Sequence, residues 1–146
     1  MDCKDDLVLT PKTFEYQITV TADAIDDMQH VNNVVYLQWV QDIARNAWEH
    51  TLKTHRSQIP TDIEIDQLAW VAIDHYIQYK APAFQDDQLA ISTYVKQFLG
   101  VKSERHTTIT RPSDQKLIAT AVTNWCLVNL KTNKPMRVPQ SIIDLF

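Results

Sequence analysis

Residues 26–40 read "DDMQHVNNVVYLQWV". Two acids, a histidine and two asparagines crowd the point where an apolar run begins. From Asn33 onward Tyr36, Val40, Ile43, Ala44, Ala47 and Trp48 recur at steps of three and four. That is the stripe of an amphipathic helix. Asn32 or Asn33 suits its N-cap, because an asparagine oxygen accepts from a free first-turn amide. Lys53, His55 and Arg56 lie near the far end, where the helix dipole favours cations. The pattern predicts a helix from Asn33 to about Thr54, roughly 30 Å long at 1.5 Å per residue. In a chain of 146 residues it would be the central element.

Outward from this helix the period changes to two. "TFEYQITVTA" (13–22) alternates Phe14, Tyr16, Ile18 and Val20 with polar residues, as a half-buried strand does. After Pro60, "LAWVAIDHYIQYKAPA" sets Val71, Ile73, His75, Ile77 and Tyr79 against Trp70, Ala72, Asp74, Tyr76 and Gln78. It stops at Pro82, which cannot donate to a ladder. "DQLAISTYVKQF" (87–98), "VKSERHTTITR" (101–111) and "LIATAVTNWCLVNL" (117–130) are three more strands. Gly100 and "RPSDQK" supply the turns between them. The polar strand 101–111 is expected to present one side to solvent or a partner, and the tail "VPQSIIDLF" to be short and partly packed. One strand, one long helix and four strands joined by short turns describe an α+β chain, its helix lying across one face of an antiparallel sheet.

Composition narrows the function. Length fits one domain, 1–146, and 45% hydrophobic with 22% charged residues is ordinary for a globular chain. No window nears the roughly 18 apolar residues of a membrane span. The acidic start, Met1 to Asp6, lacks the form of a signal peptide, so a cytoplasmic location without membrane attachment is expected. A net charge of −4 with no basic cluster argues against nucleic acid. Cys3 and Cys126 have no metal or disulfide spacing, and Cys126 reads as a small buried hydrophobe. The single glycine excludes P-loop, dinucleotide and Gly-x-Ser-x-Gly motifs. Five scattered histidines offer no metal site, and no cofactor is called for. His75 and His106 read as ordinary strand residues.

With these elements in place the chain resembles the hotdog fold. "IDDMQHVNNVVYLQWV" is similar to the active-site segment of the 4-hydroxybenzoyl-CoA thioesterase-like family and of plant acyl-ACP thioesterases. Asp26, then His30-Val31-Asn32-Asn33, then Tyr36 follow that family's spacing. The run "AVTNWCLVNLKTNKPMRVP" is similar to its last strand. The resemblance implies hydrolysis of an acyl-CoA or acyl-ACP thioester, a place in lipid metabolism, and a homodimer or homotetramer with the site at a subunit interface. Asp26 would be the general base or nucleophile, and the Asn33 amide the carbonyl donor. His30 would assist catalysis, with Asn32 and Tyr36 on the substrate side. Met28 stands where the plant enzymes carry Asn, Gln29 where many bacterial relatives carry Gly, and Gln78 where the plant enzymes carry Glu. These departures favour the simpler mechanism centred on Asp26.

From the residues alone the same segment has plainer readings. Asp26 could simply stabilise the helix dipole, with Asp23 and Asp27 as competing acids. His30 could close the loop, the asparagines could cap, and Tyr36, Trp39 and Trp48 could be core. Lys80, Lys96, Lys102, Arg105 and Arg111 are the candidate cations for CoA phosphates. The rival function is a non-catalytic module that binds acyl thioesters. A hotdog dehydratase would want a hydratase motif with flanking Gly and Pro, which is missing here.

Overall fold

The computed structural model describes residues 12–146. Cys3 and the acidic start lie outside them. Strand β1 is Phe14–Thr19, and helix α1 is Asn33–Thr54. Then come β2 (Leu68–Tyr79), β3 (Gln88–Leu99), β4 (Lys102–Arg111), β5 (Lys116–Asn129), the two-residue β6 (Lys134–Pro135) and the short helix α2 (Gln140–Ile143). Asn32 is the N-cap of α1, its Oδ1 accepting from the Val34 N–H at 2.9 Å.

The sheet runs β1-β3-β4-β5-β2, every pairing antiparallel, with β6 attached to β5. This corrects one expectation. β2 precedes β3 in the chain but lies at the opposite edge, paired with β5. Only β3, β4 and β5 form the meander. The cause is the connector 80–87. Lys80 and Ala81 both donate to the Ile118 carbonyl, which carries the chain along the foot of the sheet instead of back in a hairpin.

α1 lies on the inner face of the sheet. Its stripe of Tyr36, Val40, Ile43, Ala44 and Ala47 is buried. Around the helix start Val20, Val31, Ala83, Leu89, Ile91, Ile109 and Ile118 form one core cluster. Around its far half Leu68, Leu127, Val138, Ile142 and Leu145 form another. Each large side chain buried this fully contributes about 1.5–3 kcal/mol. The tail is therefore more than partly packed, since Ile142 is 0% exposed and Leu145 2%.

Bulges alter the faces expected from strict alternation. In β2 the register shifts between Ala72 and Asp74, so Trp70 faces inward before the bulge and His75 and Ile77 after it. In β3 a shift between Val95 and Gln97 turns both Val95 and Phe98 toward the helix. One extra residue reverses every later side chain, which a two-residue period cannot show. The polar strand β4 presents one side outward, as expected, but its inward side is polar too. Its Ser103, Arg105 and Thr107 are buried inward, while Glu104 and His106 face outward, joined at 2.6 Å. Cys126 is only half-buried.

Candidate active site

The helix start is fixed from three directions. Ile25 and Val31 form an antiparallel bridge. Between them the Asp26 N–H donates to the His30 carbonyl at 3.1 Å, and the Gln29 N–H donates to the Asp26 carbonyl at 3.0 Å. The result is a closed loop, Asp26–His30. Gln29 takes φ 68°, in the left-handed region that glycine adopts most easily. The backbone shape a glycine would favour is thus kept without one.

Below the loop, the Val31 N–H donates to the Ala83 carbonyl and the Asn32 N–H to the Ala24 carbonyl, both at 2.9 Å. Ala83 is 0% exposed. The connector that carries β2 across to β3 is therefore also the floor of the helix start. Arg111 braces it, donating to the Pro82 carbonyl at 3.1 Å and to Asp87 Oδ2 at 2.9 Å, and its other amino group meets Asp114 at 2.9 Å. With its donors committed to this brace, Arg111 has little left for a phosphate.

Asp26 is half-buried, and its Oδ1 accepts from the Met28 N–H at 2.8 Å. That bond orients the carboxylate and leaves the second oxygen out of it. The competing acids differ. Asp27 is exposed, and Asp23 takes the Thr21 hydroxyl. His30 is half-buried, and its carbonyl rather than its ring closes the loop.

In the first turn of α1, the Val34 amide is taken by the Asn32 side chain and the Val35 amide by the Asn32 carbonyl. The Asn33 amide takes neither. Among the described residues it has no acceptor, as is usual for a first-turn amide, and the positive end of the helix dipole lies behind it. Tyr36 is 3% exposed and packs against Trp39 and Tyr79, with centroids 5.3 and 5.5 Å away. Burial pushes its phenol above the ordinary value. Its position is that of an anchor beneath the site. Tyr79 adds a second tie, its hydroxyl donating to the Asn33 carbonyl at 3.3 Å.

Of the other residues singled out by the sequence, Gln78 lies on the outer face, donating to the Tyr76 hydroxyl at 3.1 Å. Lys80, Lys96 and Lys102 are exposed. Arg105 is the correction: at 6% exposure it is inside the protein, where surface phosphates cannot reach it. Nothing in the polar look of β4 announced this, because alternation does not say which side is inward. Among the described residues no three His, Cys, Asp or Glu side chains gather as metal ligands, and no helix is long and apolar enough to cross a membrane.

A long helix in an antiparallel sheet, with an acid-bearing loop closed over its N-terminus, defines a hotdog-fold protein of the thioesterase class. The thioesterase-like superfamily profile matches residues 20–146, and the chain belongs to that superfamily. It is 29% identical over 120 residues to the long-chain acyl-CoA thioesterase FadM of Escherichia coli (strain K12), covering 82% of this chain and 86% of FadM. Solved structures share the fold, and two serve as examples. YbaW, a probable thioesterase from Escherichia coli, superposes with a TM-score of 0.74 at 23% identity, over 90% of this chain and 94% of that one. Slr0204, a 1,4-dihydroxy-2-naphthoyl-CoA thioesterase from Synechocystis, gives 0.71 at 21%, over 92% and 95%.

Proposed function

We propose that this chain hydrolyses an acyl-CoA thioester at the start of α1, with Asp26 as the reacting carboxylate and the Asn33 amide as the oxyanion donor. The observation that carries the reading is the closed Asp26–His30 loop, set directly before a capped helix whose first amide is left out of the capping bonds. A carboxylate is ionised at neutral pH. It can take a proton from water as that water attacks the carbonyl, or attack directly to give a mixed anhydride that water then opens. Either way the carbonyl oxygen gains negative charge, which a preorganised amide at a helix N-terminus stabilises without reorganising. Collapse expels a thiolate, a leaving group that needs no strong acid. His30 flanks the carboxylate, Asn32 fixes the donor, and Tyr36 anchors both. The carrier is CoA, supported by the names of FadM and Slr0204; acyl carrier protein is the competing carrier.

The working unit is a homodimer, formed along β2. Only one edge of β2 is paired among the described residues, and Val71, Ile73, Tyr76 and Tyr79 on it are each about half exposed or more. A long apolar strand edge of this kind pairs with another chain unless it is covered. The location is cytoplasmic, where acyl-CoA is met. The test of function is thiol release from short, long and aromatic acyl-CoAs by purified protein. Release from at least one supports hydrolysis. Tight acyl-CoA binding with no release from any would make the chain a binding module instead.

A further inference from the structure

Arg105 is buried on the inner face of β4. Burying a guanidinium is costly unless a partner shares its charge. None of the ion pairs among the described residues includes it. Among the described residues its side chain makes one hydrogen bond, from Nη1 to Thr93 Oγ1 at 3.2 Å, although a guanidinium has five N–H donors. Burial pulls its pKa down to about 10, which still leaves it charged at neutral pH. Close by, Trp125 Nε1 is buried and has no acceptor among the described residues.

Both side chains line one cavity of about 400 Å³ between the far half of α1 and the sheet. That volume lies within the usual range for small-molecule sites, about 300–1,000 Å³. The rest of its wall is mostly apolar, with four aromatic rings among it, beside the polar Gln41, Arg45 and Ser103. Trp48 stacks on Phe146 at 5.6 Å and meets Trp70 edge-on at 5.7 Å, while Phe98 lies 6.0 Å from Phe146. Among the described residues no Asp or Glu lines the cavity. A cationic donor and an indole N–H in an apolar chamber call for a ligand that brings its own negative acceptor on an apolar body.

We propose that this cavity binds the carboxylate of an apolar acid, with Arg105 and Trp125 as donors and the aromatic rings around the chain. The site is separate from the helix start, since the rise from Asn33 to Ala44 alone is about 16 Å. Two molecules offer this chemistry. One is a free fatty acid; the other is the far end of an acyl thioester that carries a second carboxylate. The second rests on the hydrolase reading above, whereas the binding itself does not.

The test is calorimetric titration of the full chain with dodecanoate and with dodecanol, which share a chain length and differ in charge. The expected result is at least about tenfold tighter binding of the acid, accompanied by a change in tryptophan fluorescence. Arg105→Met should erase that preference, and Arg105→Lys should keep part of it. Equal binding of acid and alcohol by the unaltered protein would overturn the proposal without any variant having to fold. A preference that survives Arg105→Met would overturn it too. Thiol release then separates the sources. An Arg105-dependent higher kcat/KM for the CoA monoester of dodecanedioic acid than for dodecanoyl-CoA assigns the site to the substrate's tail. Equal values with acid binding intact assign it to the free acid. If neither ester is hydrolysed, the hydrolase reading is decided by the wider acyl-CoA panel and the calorimetric result still decides this one.

Discussion

The Val31 N–H donates to the Ala83 carbonyl at 2.9 Å, and through that bond the β2–β3 connector holds the start of α1. Ala83 is 0% exposed, so no larger side chain fits there without displacing the connector. Ala83→Leu should therefore cost about 1–3 kcal/mol of stability. It should also lower thiol release by more than the unfolded fraction accounts for, because the floor of the helix start has moved. Thermal unfolding and activity measured on the same sample check both halves.

Gln29 sits at φ 68° in the loop that presents Asp26. A side chain there costs about 1–2 kcal/mol, part of which glycine recovers. Gln29→Gly should hold or raise the urea midpoint, whereas Gln29→Val should lower it, since branched residues tolerate this region worst. A valine variant as stable as the parent would show that the loop has another conformation in solution.

The β2 edge that is unpaired among the described residues carries Val71 and Ile73, both about half exposed. Placing charge there blocks edge-to-edge pairing. A Val71→Lys, Ile73→Lys double variant should elute as a folded monomer, with its activity greatly reduced. Light scattering after size exclusion reads the mass. An unchanged mass would move the subunit contact elsewhere.

His75 lies on the inner face, its Nδ1 2.9 Å from Thr123 Oγ1. Burial lowers its pKa below the ordinary 6.5, with Asp74 opposing weakly. The unfolded chain thus binds the proton at higher pH than the folded one does. This contribution to stability is complete above about 6.5 and falls as pH drops from there through the lowered value. Glu104 behaves differently. Its hydrogen bond to His106 lowers its pKa below 4.5, so its contribution fades only at more acid pH. Urea midpoints between pH 7 and pH 5 should fall more steeply for the parent than for His75→Gln. Parallel curves would remove His75 as the cause.

The limits of α1 were legible because its stripe, its cap and its terminal cations agree, and the strands because each alternates between turn residues. The strand order was not. It depends on where the connector 80–87 crosses, and Pro82 marks only that β2 ends. The faces of β2 and β3 were half legible, since single-residue bulges at Ile73 and Lys96 leave no mark in a two-residue period. Arg105 misled for a related reason. Basic residues are usually outside, and only the register of β4 against its neighbours puts this one within. Around the site, the closeness of Asp26, His30 and Asn33 was visible because they are neighbours in sequence. The support from Ala83, Arg111 and Tyr79 comes from 46 or more residues away and had no local signal.

The most direct measurement is the single-turnover rate of thiol release from a long-chain acyl-CoA by Asp26→Asn, with folding and acyl-CoA affinity verified alongside. The substitution keeps the size of the side chain and an oxygen for the Met28 amide, and it removes the charge. A fall of about 10²-fold or more with affinity retained is the predicted result. An unchanged rate in a folded variant would contradict the assignment of Asp26 as the reacting carboxylate.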